Sequence, residues 1–191
     1  IIEAIGGFST RDMSVGQANA LLQGAQGASV KVAVVRRGKT EPEEISISRQ
    51  VIGPQHVVAD RVADDVAYIR MPSFDAGEVT ELHDKLIQFD TQGLHQLVLD
   101  LRDFSRGQVS AAILAAQFFL SSGKIASLEG QTVTRREFSA DSGKVVWRAA
   151  VEVLISPGTS GAAEVLAAAI KGNKRGEVIG ERTFGSASEQ K

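Results

Sequence analysis

The chain contains no cysteine. That excludes a disulfide framework, a thiolate metal site and a cysteine nucleophile, and it leaves the redox compartment open. Charge of one sign is also missing. A formal net charge of -2 over 191 residues gives no electrostatic case for nucleic acid or an anionic membrane surface, and no run of like charges forms a tail. Long apolar runs are absent too: nothing approaches the roughly 18 residues needed to span a bilayer, and no basic-then-apolar leader opens the chain. Partners of peptide, protein or small-molecule type remain, and a homo-oligomer stays open. The three histidines, His56, His83 and His95, are not spaced with each other or with acids as metal ligands are, so neither zinc nor any other cofactor is expected.

What is present reads as two successive patterns. Ile1 to Gly7 looks like a strand ending in a glycine turn, with no earlier segment to pair with it. Ser14 and Gln17 have capping-box spacing; Val15, Ala18, Leu21 and Leu22 then share a helical face, and Gly24 is the expected stop. Val30–Val34 and Ile45–Ile47 alternate as half-buried strands around the polar hinge Arg37–Pro42.

The second pattern begins near Arg61. Val66–Met71 reads as a strand, and Pro72–Asp75 as its exit into a helix. Asp75 and Glu78 are spaced as a second capping box, ahead of the stripe Val79, Leu82, Leu86, Phe89. Gln96–Leu101 is a buried-type strand followed by a helix over Val109–Leu120. A hairpin is expected from Gln131–Phe138 and Val145–Ala150, then a strand over Val151–Ile155, an alanine-rich helix over Ser160–Ile170 and a last strand over Glu177–Ile179. The βαβα order favours a sheet with crossover helices over a sandwich. Glycines between Gly176 and Gly185 lack the strand-GxGxxG-helix setting of a nucleotide loop.

Several segments carry a resemblance in a fixed order: Tyr68-Ile69-Arg70 with Ser73-Phe74, then Leu99-Asp100-Leu101-Arg102, then Val153 to Glu164, then Gly180-Glu181-Arg182-Thr183-Phe184-Gly185. Together they resemble the core of the carboxyl-terminal processing (tail-specific) peptidases, serine peptidase family S41. Residues 1–52 look like the latter half of the PDZ domain found within those peptidases. The resemblance implies an α/β fold, a spiral core of the crotonase and Clp-protease type over residues 61–191. It also implies peptides or unfolded protein C-termini as partners, and a periplasmic or otherwise exported location. The chain is expected to begin inside a domain.

The same resemblance assigns positions. The family's nucleophilic serine falls on Gly161 and its general-base lysine on Ser186, while the glutamine that orients the lysine is matched by Gln190. In the oxyanion turn, Asp103-Phe104-Ser105-Arg106-Gly107, only Gly107 is in register with the family's glycine pair. The chemistry needs an ionisable nucleophile, a base within hydrogen-bond reach and donors aimed at the oxyanion. Glycine has no side chain, and a serine hydroxyl is no base near neutral pH. Ser160 is the fallback nucleophile. It lies one residue early, which on a helix turns the side chain by about 100°, and it is equally well read as a capping or turn serine. Arg106 reads either as an anion-binding arm or as a solvated surface residue. Two functions follow as expectations: an S41 homologue without proteolytic activity that binds peptides or proteins, or an active serine endopeptidase of altered constellation cutting near C-termini. An unrelated structural domain is the third reading.

Overall fold

The computed structural model describes residues 1–51, 56–104, 106–131 and 133–186, apart from the Val15 side chain. Its contacts divide the chain into two units, Ile1–Pro54 and Gln55–Lys191.

In the first unit, β1 (Ile2–Ile5), β2 (Phe8–Ser9), β3 (Ser29–Val34) and β4 (Glu43–Ser48) form an antiparallel sheet in the order β2-β1-β3-β4. The opening strand therefore has partners on both sides: it pairs with β2, and also with β3 through Ala4↔Ala33 and Ile5↔Val32. Pairing with later strands is what a search for an earlier partner overlooks. Helix α1 (Val15–Leu22) starts at the expected capping box, with Gln17 N–H donating to Ser14 Oγ at 3.2 Å and Ser14 N–H donating to Gln17 Oε1 at 2.9 Å. At its other end the Arg49 guanidinium donates to the carbonyls of Leu21 and Leu22, both at 2.9 Å. These are carbonyls the helix itself leaves unpaired. Ile5, Val30 and Val32 are the buried centre, with Ala18, Leu21, Leu22 and Val34 packed against them.

The second unit is built on β5 (Val58–Ala63), β6 (Val66–Arg70), β7 (Gln96–Asp100), β10 (Ala150–Ile155) and β11 (Glu177–Gly180), ordered β11-β10-β7-β6-β5. All neighbouring pairs are parallel except β5 with β6. Helices α2 (Ala76–Thr91), α3 (Val109–Gln117) and α4 (Ala162–Gly172) supply the crossovers, with α3 packed against both α2 and α4. Alternation along the strands sorts their residues. Ala67, Ile69, Leu97, Leu99, Val151 and Val153 are buried and join Val79, Leu82, Leu86, Leu166 and Ile170 of the helices in one core, while Tyr68, Val98, Glu152 and Leu154 on the alternate positions keep some exposure.

A separate two-stranded ribbon joins β8 (Lys124–Leu128) to β9 (Arg136–Ser139). This corrects the expected hairpin. Residues 136–139 pair backwards with 124–128, and the apolar run Val145–Trp147 forms no strand: Val146 N–H and Trp147 N–H both donate to the Phe118 carbonyl at 3.0 Å, and the fully buried Trp147 donates from Nε1 to the Ala150 carbonyl. Burial without pairing has the same apolar signature as a strand. Thr132, within the expected hairpin, lies outside the described residues. The expected capping box at α2 is also absent. Asp75 makes no side-chain bond to the helix and accepts instead from Ser73 Oγ at 2.9 Å, because a serine two residues earlier is nearer than the helix amides.

Candidate active-site cleft

The ends of three adjacent parallel strands bring the site together. Leu101 N–H donates to the Leu154 carbonyl at 2.9 Å, which keeps the exits of β7 and β10 side by side. The loop after β10 is fixed by Thr159, which has no exposed surface: its hydroxyl donates to the Leu101 carbonyl at 2.7 Å and accepts from Ser156 N–H at 2.9 Å. The neighbouring turn after β7 docks on this loop through Ser160 N–H to the Phe104 carbonyl at 2.8 Å and Ser156 Oγ to Asp103 Oδ1 at 3.0 Å.

Gly161 then opens α4 with φ 60° and ψ -118°, a conformation glycine adopts freely and other residues adopt under strain. A Cβ built there would meet no heavy atom within 4 Å. Ser160 precedes the cap position and does not occupy it. The cap is Gly161, whose amide is satisfied by the carboxylate of Glu164 at 2.9 Å. That carboxylate also reaches the loop after β11. Gly185 N–H donates to Oε1 at 2.7 Å and Ser186 N–H to Oε2 at 2.8 Å, so the amides of positions 161 and 186 meet at one oxygen. Burial alone pushes the Glu164 carboxyl up; the Thr183 side chain and the Gly185, Gly161 and Ser186 amides outweigh it and hold it below the usual carboxylate range.

Gly161, Glu164 and Ser186 face a cavity of about 250 Å³ whose other walls are apolar except for Ser127 of β8, and come mainly from Val109 and Ile113 of α3, Leu128 of β8, Phe138 of β9 and Val165 and Ala168 of α4. No lysine, histidine or arginine side chain is among the described residues that line it, and Ser160 does not line it either. Gln190 and Lys191, like Ser105 and Ser188, lie outside the described residues. Among the described residues no group of three or more histidines or acids is placed to hold a metal ion.

The turn over residues 103–107 has its own logic. Asp103 sits at φ 56°, the Phe104 ring packs on Phe74 with centroids 5.0 Å apart, and Gly107 bridges Phe74. At Gly107, φ is 115° and a Cβ would lie 2.4 Å from the Phe74 nitrogen. This glycine is required by contact with Phe74, whatever else it does. Arg106 is exposed, and its carbonyl accepts from Phe74 N–H at 3.2 Å.

Behind this turn, Asp100 is fully buried. It accepts a fork from Arg102 at 2.9 and 2.7 Å, the Tyr68 hydroxyl at 2.7 Å and the Arg102 amide at 2.9 Å. Burial opposes ionisation, and the Arg102 and Tyr68 bonds prevail, lowering the carboxyl to about 2.

The sequence profile of peptidase family S41 matches residues 65–191. The chain belongs to peptidase family S41. Within that family it is 32% identical to the carboxyl-terminal-processing protease of Synechocystis sp. over 188 residues, 96% of this chain and 44% of the relative. It is 30% identical to the carboxy-terminal processing protease CtpA of Bacillus subtilis, covering 97% of this chain and 40% of that protein. The chain thus spans less than half the length of these curated relatives. In three dimensions it superposes on the photosystem II D1 C-terminal processing protease with a TM-score of 0.87 and 28% identity, over 97% of this chain and 52% of that one. The fold is the mixed α/β fold of the S41 carboxyl-terminal processing proteases.

Reading the sequence for reactive residues alone passed over Glu164. Its signal was available: an acid three residues after a helix-start glycine has the spacing of an N-terminal cap. What the spacing could not show is that the same carboxylate binds a loop more than twenty residues away.

Proposed function

We propose that this S41 member binds peptides or unfolded protein C-termini in the cleft beside α4 without cutting them. The reading rests on one observation: among the described residues, the cavity shared by positions 161 and 186 is lined mainly by apolar side chains and by no lysine or histidine, and its one carboxylate, Glu164, is engaged by the backbone amides of Gly161, Gly185 and Ser186. Catalysis by a serine and lysine pair needs both members, and losing either commonly removes orders of magnitude in rate. Gly161 provides no nucleophile and Ser186 no base. Binding needs neither. A cavity of this size with mostly apolar walls and a few polar groups suits a small apolar side chain of an extended peptide.

Residues 1–52 are read as part of a PDZ-like domain that would add to peptide capture through its sheet. An exported location is carried over from the family resemblance alone.

The test uses an unstructured peptide ending in alanine. Saturable binding, abolished by Ala168→Phe and accompanied by no cleavage and no fluorophosphonate labelling, is the expected result. Stoichiometric labelling of Ser160, or cleavage of the peptide, would overturn it in favour of an active peptidase.

A further inference from the structure

We infer that Glu164 is a positioning residue that latches the Thr183–Ser186 loop in place as one wall of the cavity, so that closure of this loop and occupation of the cavity are coupled. The part of this carboxylate's bonding that belongs to the start of α4 is the bond from Gly161 N–H, the N3-to-N-cap half of a capping box. The two bonds from Gly185 and Ser186, at 2.7 and 2.8 Å, come from a segment 21 and 22 residues away and serve no need of the helix. They are charge-assisted, the stronger class of hydrogen bond.

The loop has little else to hold it. Its one large apolar side chain, Phe184, is 75% exposed, Gly185 has no side chain, and its other backbone tie among the described residues is Phe184 N–H to the Thr159 carbonyl at 3.0 Å. A segment that buries no apolar side chain and is held by a few hydrogen bonds opens at low cost. Ser186, held through its own amide, lines the cavity. Releasing the latch therefore removes a wall, and a ligand that contacts the closed wall favours the closed loop to the extent that it binds that state better.

The latch does not depend on what the cavity binds; the coupling to a ligand rests on the peptide-binding reading. Amide hydrogen exchange separates the two. In the wild-type protein Gly185 and Ser186 should exchange more slowly than exposed turn amides such as Gly38. Glu164→Ala should accelerate both by about tenfold or more, while the α4 amides of Leu166 to Ile170 keep their rates. Glu164→Gln, which keeps one acceptor oxygen and the cap, should fall between the two. A merely structural role for Glu164 would loosen α4 together with the loop, and that result overturns the inference. So does wild-type exchange at Gly185 and Ser186 as fast as at Gly38, a measurement that needs no variant. Adding the alanine-ended peptide should slow Gly185 and Ser186 further in the wild type and less in Glu164→Gln. If the peptide binds without slowing them, the coupling fails. If it does not bind while the latch results hold, the peptide-binding reading fails alone.

Discussion

At the scale of single residues, two carboxylates show how burial and bonding compete. Asp100 is the more extreme. Desolvation favours its neutral form, and it stays ionised because the Arg102 fork, the Tyr68 hydroxyl and the Arg102 amide all donate to it. The Tyr68 hydroxyl shows the reciprocal effect, raised first by its burial and then by its bond to Asp100. Because the folded carboxyl is depressed from 3.8 to about 2, its contribution to stability is complete above the unfolded value and is lost as pH falls from about 4 towards 2. Asp100→Asn should therefore cost about 2 kcal/mol at neutral pH, and the gap between variant and wild type should narrow through that acid window. Urea unfolding at several pH values measures it, and a gap independent of pH would count against the assignment. Gly107 makes a different point. The oxyanion role expected of it rests on resemblance alone, whereas the physical demand on it, contact with the Phe74 backbone at a positive φ, needs coordinates.

At the scale of elements, the sequence read well wherever a periodic face met a buried surface. The Val79, Leu82, Leu86, Phe89 stripe became the buried face of α2, and the apolar runs at 96–100 and 150–155 became neighbouring parallel strands. It read poorly where burial came without periodicity. Trp147 sits in an irregular segment, and Lys124–Leu128, with small and polar residues among its five, was missed as a strand. The reason for both lies beyond α4. Asn173 Nδ2 donates to the Lys124 carbonyl at 2.9 Å. Arg175 donates to the carbonyls of Phe119, Trp147 and Ala149 at 2.9, 2.9 and 2.6 Å. Burial lowers the Arg175 pKa from its ordinary value, and among the described residues the partners of the guanidinium are these backbone carbonyls. Arg175→Met keeps much of the apolar stem and removes the donors. It should cost about 3 kcal/mol and shift the Trp147 emission, since the backbone around that indole loses its anchor. An unchanged emission spectrum with full stability would show that the three carbonyls find other donors.

At the scale of the whole molecule, the two units differ in how much core each possesses. Among the described residues of the first, Ile5, Val30 and Val32 are the buried apolar side chains, with four partly buried neighbours. In the second, one continuous cluster runs from Val57 through Trp147 to Ile170. Apolar burial supplies most of the favourable free energy of folding, and small cores are marginal, so the first unit should unfold first. The chain provides its own probe for this. Its single tryptophan and single tyrosine, Trp147 and Tyr68, both belong to the second unit, and their fluorescence does not report the sheet and helix of residues 1–54. Far-UV ellipticity reports both. In urea, ellipticity should begin to fall at a lower concentration than fluorescence, with a first step whose amplitude matches the loss of one small sheet and an eight-residue helix. Coincident transitions by the two probes would mean that the units unfold as one cooperative body, and the stability of residues 1–54 would then have to come from something other than their own three-residue centre.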